Sequence, residues 1–397
     1  MQVVSFALSA VYSCVWFTRW ARESVKNRMW THLGWFSGLV CVGSVAGAVA
    51  WGANAESYSL VYQAETPGLT ELLSRRQAYA LLSSQTRWYA AFVILYGVEF
   101  LCFIVPKLIM LGRLTNSAAR SLQAHAQEEG EGRGESTSGG VLVKVYRVTA
   151  AAVVLCSVGG MVAHFVAGAY FVQASGLFNQ AATSCDAVGG NTNSSLALFQ
   201  RALAVDSDAF TAVAVQNVNE AIALLLISSA YIIIVPLSVA MFRRAERVGA
   251  HALLAVAVRT NAGDHRSDRA AAIVDDTIQA AAQQRRRLVI ACVVVLITFP
   301  ARAAVALLQA YSSFNAPYNP SCRPCDPCQT DQFLINQWFT FTPEIRPINV
   351  ALSSPLPLFV SLWIITGAHA QAYAISLNIL RARLGRGVTS PPSAVEK

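Results

Sequence analysis

Three cysteines recur at three-residue intervals in "SCRPCDPCQTD", residues 321–331: Cys322, Cys325 and Cys328. Thiols this close could hold zinc or form disulfides, and spacing alone does not separate the two. Two strong charges also stand in apolar surroundings: Glu99 in "YGVEFLCF" and Arg302 in "TFPARAAVALL". Opposite charges in such a setting can pair with each other or form a polar site for a solute. His164 and His369 are the other titratable side chains within apolar runs. A lone histidine there is more often hydrogen-bonded structure than chemistry.

The elements that carry these residues are membrane spans. The chain is 54% hydrophobic and 13% charged, against about 25% charged in ordinary soluble domains. Its apolar residues fall in blocks long enough for membrane helices. Seven spans can be marked, at about 3–17, 33–53, 88–111, 148–172, 221–242, 288–308 and 351–373. The first is short, but its basic residues follow it (Arg19, Arg22, Lys26, Arg28), the reverse of a cleaved signal. The expected fold is all-α: a polytopic seven-helix membrane bundle over 1–380, with no separate soluble domain.

Charge orients the bundle. With the N-terminus outside, 23 Lys and Arg residues fall on the inner side, counting Lys107 just inside the third span, and six fall on the outer side. That asymmetry is the positive-inside pattern, and it puts the C-terminus in the cytosol. The net charge of +8 then belongs beside anionic headgroups and not on nucleic acid. The densest basic segment, 243–287, is the surface available to a cytosolic partner. Integral membrane localisation follows, in the plasma or a secretory-pathway membrane.

Topology also bears on the thiols. Cys14, Cys41, Cys102, Cys156 and Cys292 fall within spans, where cysteine serves as a small buried hydrophobe. Cys185, Cys322, Cys325 and Cys328 all fall in outer loops. An even number on the oxidising side favours disulfides over zinc, with connectivity open. The sequon Asn193-Ser194-Ser195 lies in the same outer loop as Cys185 and would accept a glycan.

Other segments are plainer. Residues 125–140 and 384–397 read as disordered, the first through "EEGEGRGESTSGG". A short helix is expected from Gly68 to about Leu82. Residues 196–218 should be helix leading into the fifth span, and the sixth span should extend inward as helix. Pro106, Pro236, Pro300, Pro355 and Pro357 can kink their helices. Gly34, Gly38, Gly43 and Gly47 suit close helix packing in the second span.

The span order and basic fifth loop resemble G-protein-coupled receptors in topology only. The acidic-Arg-aromatic triplet after the third span is absent, where the chain reads "KLIMLGR", and the seventh span lacks Asn-Pro-x-x-Tyr. A rhodopsin reading fails because the seventh span has no lysine. The strings "YGVEFLCFIVPKLIML" and "TPEIRPINVALSSPLPLFVSLW" resemble uncharacterised seven-span membrane proteins of microbial eukaryotes, a likeness that implies no activity. A receptor-like transducer of unknown ligand is the leading expectation. The alternatives are a small-solute transporter or channel using a Glu99/Arg302 site, and a membrane scaffold. No enzyme, cofactor or metal is expected: two intramembrane histidines and no intramembrane aspartate leave a metal hydrolase without ligands.

Overall fold

The computed structural model describes residues 7–8, 10–15, 17–18, 32–65, 75–128, 137–185, 192–260 and 265–314. Five long helices account for nearly all of them: α1 (His32–Glu65), α2 (Arg75–Glu128), α3 (Thr137–Ser184), α4 (Thr192–Thr260) and α5 (His265–Phe314). Each contains a stretch long and apolar enough to cross a membrane: Trp35–Leu60, Arg76–Asn116, Gly140–Ser184, Ser194–Leu237 and Val289–Phe314. Helix is the form such stretches must take, because lipid offers no partner for open backbone groups. The chain is therefore an all-α, multi-pass membrane protein. The described residues of the predicted first span are helical, and the predicted seventh span lies outside the described residues.

The helices outrun the apolar blocks that mark them. α4 alone has 69 residues, about 100 Å at the usual rise, against about 30 Å of hydrocarbon. Residues 196–218 are helix leading into the fifth span, as expected, with no break between them. Of the short helix expected from Gly68 to about Leu82, residues 75–82 belong to α2 and run on into it without a break, and residues 68–74 lie outside the described residues. Helix also occupies both ends of the Gly-, Glu- and Ser-rich stretch at 125–140. The described residues of the basic segment, 243–260 and 265–287, lie on α4 and α5. Pro106, Pro236 and Pro300 sit inside α2, α4 and α5. Each withdraws one backbone donor from its helix.

The chain divides into two compact units. Unit 1 comprises Met1–Gly112, Lys144–Ala230 and Val295–Leu358; unit 2 comprises Arg113–Val143, Tyr231–Val294 and Phe359–Lys397. Within unit 2, Leu142, Tyr231, Ile234, Val235 and Ala291 are buried, and the whole basic segment 243–287 falls in this unit.

Unit 1 packs at backbone distance. A Cβ on Gly43 would lie 2.8 Å from Cys102 Cβ and from the Phe103 ring, so α1 meets α2 there with no room for a side chain. Close packing through the second span's glycines is thus seen at Gly43. Ser83 and Ser175 lock α2 to α3 reciprocally: Ser83 Oγ donates to the Ser175 carbonyl (2.9 Å), and Ser175 Oγ to the Ser83 carbonyl (2.8 Å). Beside them, Ala174, Leu177, Phe178 and Ala202 form an apolar knot. α3 turns a broad apolar face outward, including Val148, Leu155, Val162 and Val172. In lipid such a face carries no penalty, whereas on a soluble monomer it would be an interaction site.

The cysteines depart from expectation in one respect. Cys14 and Cys41, read as separate buried hydrophobes, form a disulfide with 5.6 Å between their Cα atoms. Spacing could not show it, because the contact is made by helix packing across a separation of 27 residues. Cys185 ends α3 in a turn, its N–H donating to the Ala182 carbonyl. It has no disulfide partner among the described residues. Cys322, Cys325 and Cys328 lie outside them.

Candidate functional site

Helical periodicity places Tyr96, Glu99, Phe103 and Lys107 along one stripe of α2. All four are buried in unit 1. Glu99 is wholly excluded from the surface, and Lys107 is 4% exposed. The charge tally counts Lys107, just inside the third span, with the inner charges. Its ammonium instead lies 4.4 Å from the centre of the buried Phe299 ring on α5, a favourable cation–π geometry. Moving it from the inner tally leaves the charge asymmetry standing.

Arg302 is buried as well, on α5 three residues beyond Phe299. Its partner is Glu220 on α4, which the sequence reading did not single out. Arg302 Nε donates to Glu220 Oε1 at 2.5 Å. Arg302 Nη2 donates to the Tyr96 hydroxyl at 2.8 Å. That hydroxyl faces both carboxylate oxygens of Glu220, at 3.1 and 3.2 Å. Gln216, one turn earlier on α4, donates Nε2 to Glu220 Oε2 at 3.1 Å. The guanidinium also lies 5.7 and 5.6 Å from the Tyr96 and Phe100 ring centres. Three helices thus contribute to one ionic cluster with its charges opposed and its donors in use. Such closure matters, because a charge left alone at mid-bilayer costs about 2.5–3.5 kcal/mol on insertion scales.

Glu99 is outside that closure. Neither of its oxygens has a hydrogen-bond partner among the described residues. Arg302, Glu220 and Lys107 are near enough to act on it electrostatically, but the guanidinium donors point to Glu220 and Tyr96. Trp51 of α1 also approaches, though its indole N–H does not reach hydrogen-bond geometry. The direct partner of Arg302 is therefore Glu220, and Glu99, which the sequence offered for that place, is a neighbour of the pair.

The remaining predicted residues fall as follows. His164 of α3 is buried against Tyr96, edge to face at 5.6 Å between ring centres. Gly97 makes room for it, since a Cβ there would lie 2.9 Å from the imidazole. His164 thus borders the cluster. An aromatic wall adjoins it: Trp51, Phe92 and Tyr96 are in mutual contact, and Tyr89, Phe171 and Phe210 continue the series. His369 lies outside the described residues, and Asn193 falls in the first turn of α4. No group of three or more His, Cys, Asp or Glu among the described residues could hold a metal ion.

Glu220 escaped the sequence reading for a definable reason. It stands immediately before the apolar run that begins at Ala221, where an acidic residue looks like the outer boundary of a span. The available signal was Gln216 and Glu220 four residues apart, which shares one helix face. No family model, curated protein or solved structure matches the chain.

Proposed function

We propose that the protein moves protons or small cations across its membrane through the interior of unit 1. The observation carrying this reading is the buried cluster of Tyr96, Glu99, Glu220 and Arg302, with Lys107 and His164 on its borders. Packing alone gives little reason for it. Replacing buried ion pairs by apolar residues of similar size is often neutral or stabilising, so a scaffold would gain little from the cluster. Intramembrane ionisable groups commonly mark ion pathways and proton relays. The receptor-like reading rests on span order and gains no residue from the cluster.

Purified protein in liposomes, with a potassium diffusion potential imposed by valinomycin, provides the test. Internal dyes for pH, sodium and potassium report the flux. Proton or cation entry should exceed that of protein-free vesicles and fall when the cluster is disrupted. Entry no faster than in protein-free vesicles for all three ions would end this reading.

The proposal includes seven spans with the N-terminus outside, supported by the distribution of Lys and Arg. A tag after Lys397 should then be reached by antibody only in permeabilised cells, and Asn193→Gln should remove one glycan. A tag detected on intact cells would reverse the orientation.

A further inference from the structure

The cluster contains two buried carboxylates in unequal settings. Glu220 is saturated: Arg302 Nε, the Tyr96 hydroxyl and Gln216 Nε2 all engage it. Both of its oxygens are taken up by these donors. Glu99 sits one turn along α2 from Tyr96, with both oxygens buried and no donor engaged among the described residues. A proton added to one of those oxygens would neutralise it without breaking a bond elsewhere.

The charged and titratable groups around it fit such a role. Tyr96 and Lys107 lie on the same stripe of α2, and Cys102 is nearby on that helix. Glu220 lies on α4 and Arg302 on α5. His164 on α3 and Trp51 on α1 border Tyr96. None of the described groups gives Glu99 a hydrogen bond that would hold it permanently as an anion.

We infer that Glu99 is the carboxylate that takes up and releases the moving proton, while the hydrogen-bonded Glu220–Arg302 pair holds the helices around it. The inference rests on the translocation reading above and narrows its cargo to the proton. The step is simple in balance: a proton joins a Glu99 oxygen from one side of the membrane and leaves to the other, and no other covalent bond changes.

Two measurements test it on the full-length protein. In proteoliposomes with an internal pH dye, Glu99→Gln should reduce proton entry to the rate of protein-free vesicles. Glu99→Asp should restore part of it. Wild-type-like entry through Glu99→Gln overturns the inference while leaving the translocation reading intact. Infrared difference spectra between high and low pH provide the second test, with or without flux. The wild type should show a protonated-carboxyl stretch that Glu99→Gln abolishes. If the Gln variant fails to fold, Glu99→Asp should displace that band. A band unaffected by either change would overturn proton binding at Glu99, and a band lost without wild-type flux would retain the proton site while ending the translocation reading.

Discussion

Glu220→Gln should destabilise the folded protein by about 3–5 kcal/mol, the usual cost of stranding one member of a buried ion pair. Arg302 is the stranded partner, with its Nε 2.5 Å from Glu220 and its surface closed off. Water cannot replace the lost carboxylate there, and Tyr96 can accept only part of the guanidinium's capacity. Arg302→Gln should cost a similar amount, because Glu220 then loses its countercharge. The double variant should cost less than the sum, leaving a coupling of about 1–3 kcal/mol. Denaturation in mixed detergent micelles would supply the four stabilities. The same cycle on Glu99 and Arg302 should give a smaller coupling. A larger coupling to Glu99 than to Glu220 would return Arg302 to the pairing expected from sequence.

Phe299→Ala should cost about 3–5 kcal/mol, the range for truncating a buried aromatic. Phe299 is fully buried, and its ring lies under the Lys107 ammonium. Two losses therefore combine, a void and a missing π face for a desolvated cation. Phe299→Leu separates them, since it restores most of the volume but no ring. It should keep a penalty of about 2 kcal/mol, the size of a desolvated cation–π contact. Lys107→Met should destabilise the wild type but be nearly neutral in Phe299→Leu. Equal effects of Lys107→Met in both backgrounds would show that ring and ammonium act independently.

Much of the membrane architecture was legible from hydropathy. Five apolar blocks predicted from sequence fall within the five long helices. Lipid leaves helix as the form for each block, so composition suffices to place them. Helix ends were less legible, because beyond the hydrocarbon a polar helix and a loop can share a composition. The starts of α4 and α2, at Thr192 and Arg75, are of that kind. Glu99 and Arg302 were recognisable as costly residues from type and depth. The choice between Glu99 and Glu220 as the partner of Arg302 was not, because it depends on how α2, α4 and α5 are rotated about their own axes. Lys107 and the Cys14–Cys41 bridge share that difficulty: each is settled by a neighbour distant in sequence.

The unequal burial of α2 and α3 bears on how freely the chain can vary. In their most apolar 18-residue windows, 67% of α2 is enclosed by protein and 33% of α3. Random codon replacement should therefore be filtered unevenly. Along the outward face of α3, at positions such as Leu155 and Val162, most apolar residues should serve equally well. The α2 stripe through Phe92, Tyr96, Glu99 and Phe103 meets protein on nearly every side. Viable alleles should be rare there, so a drifting lineage would lose resemblance in α3 long before it lost it in α2.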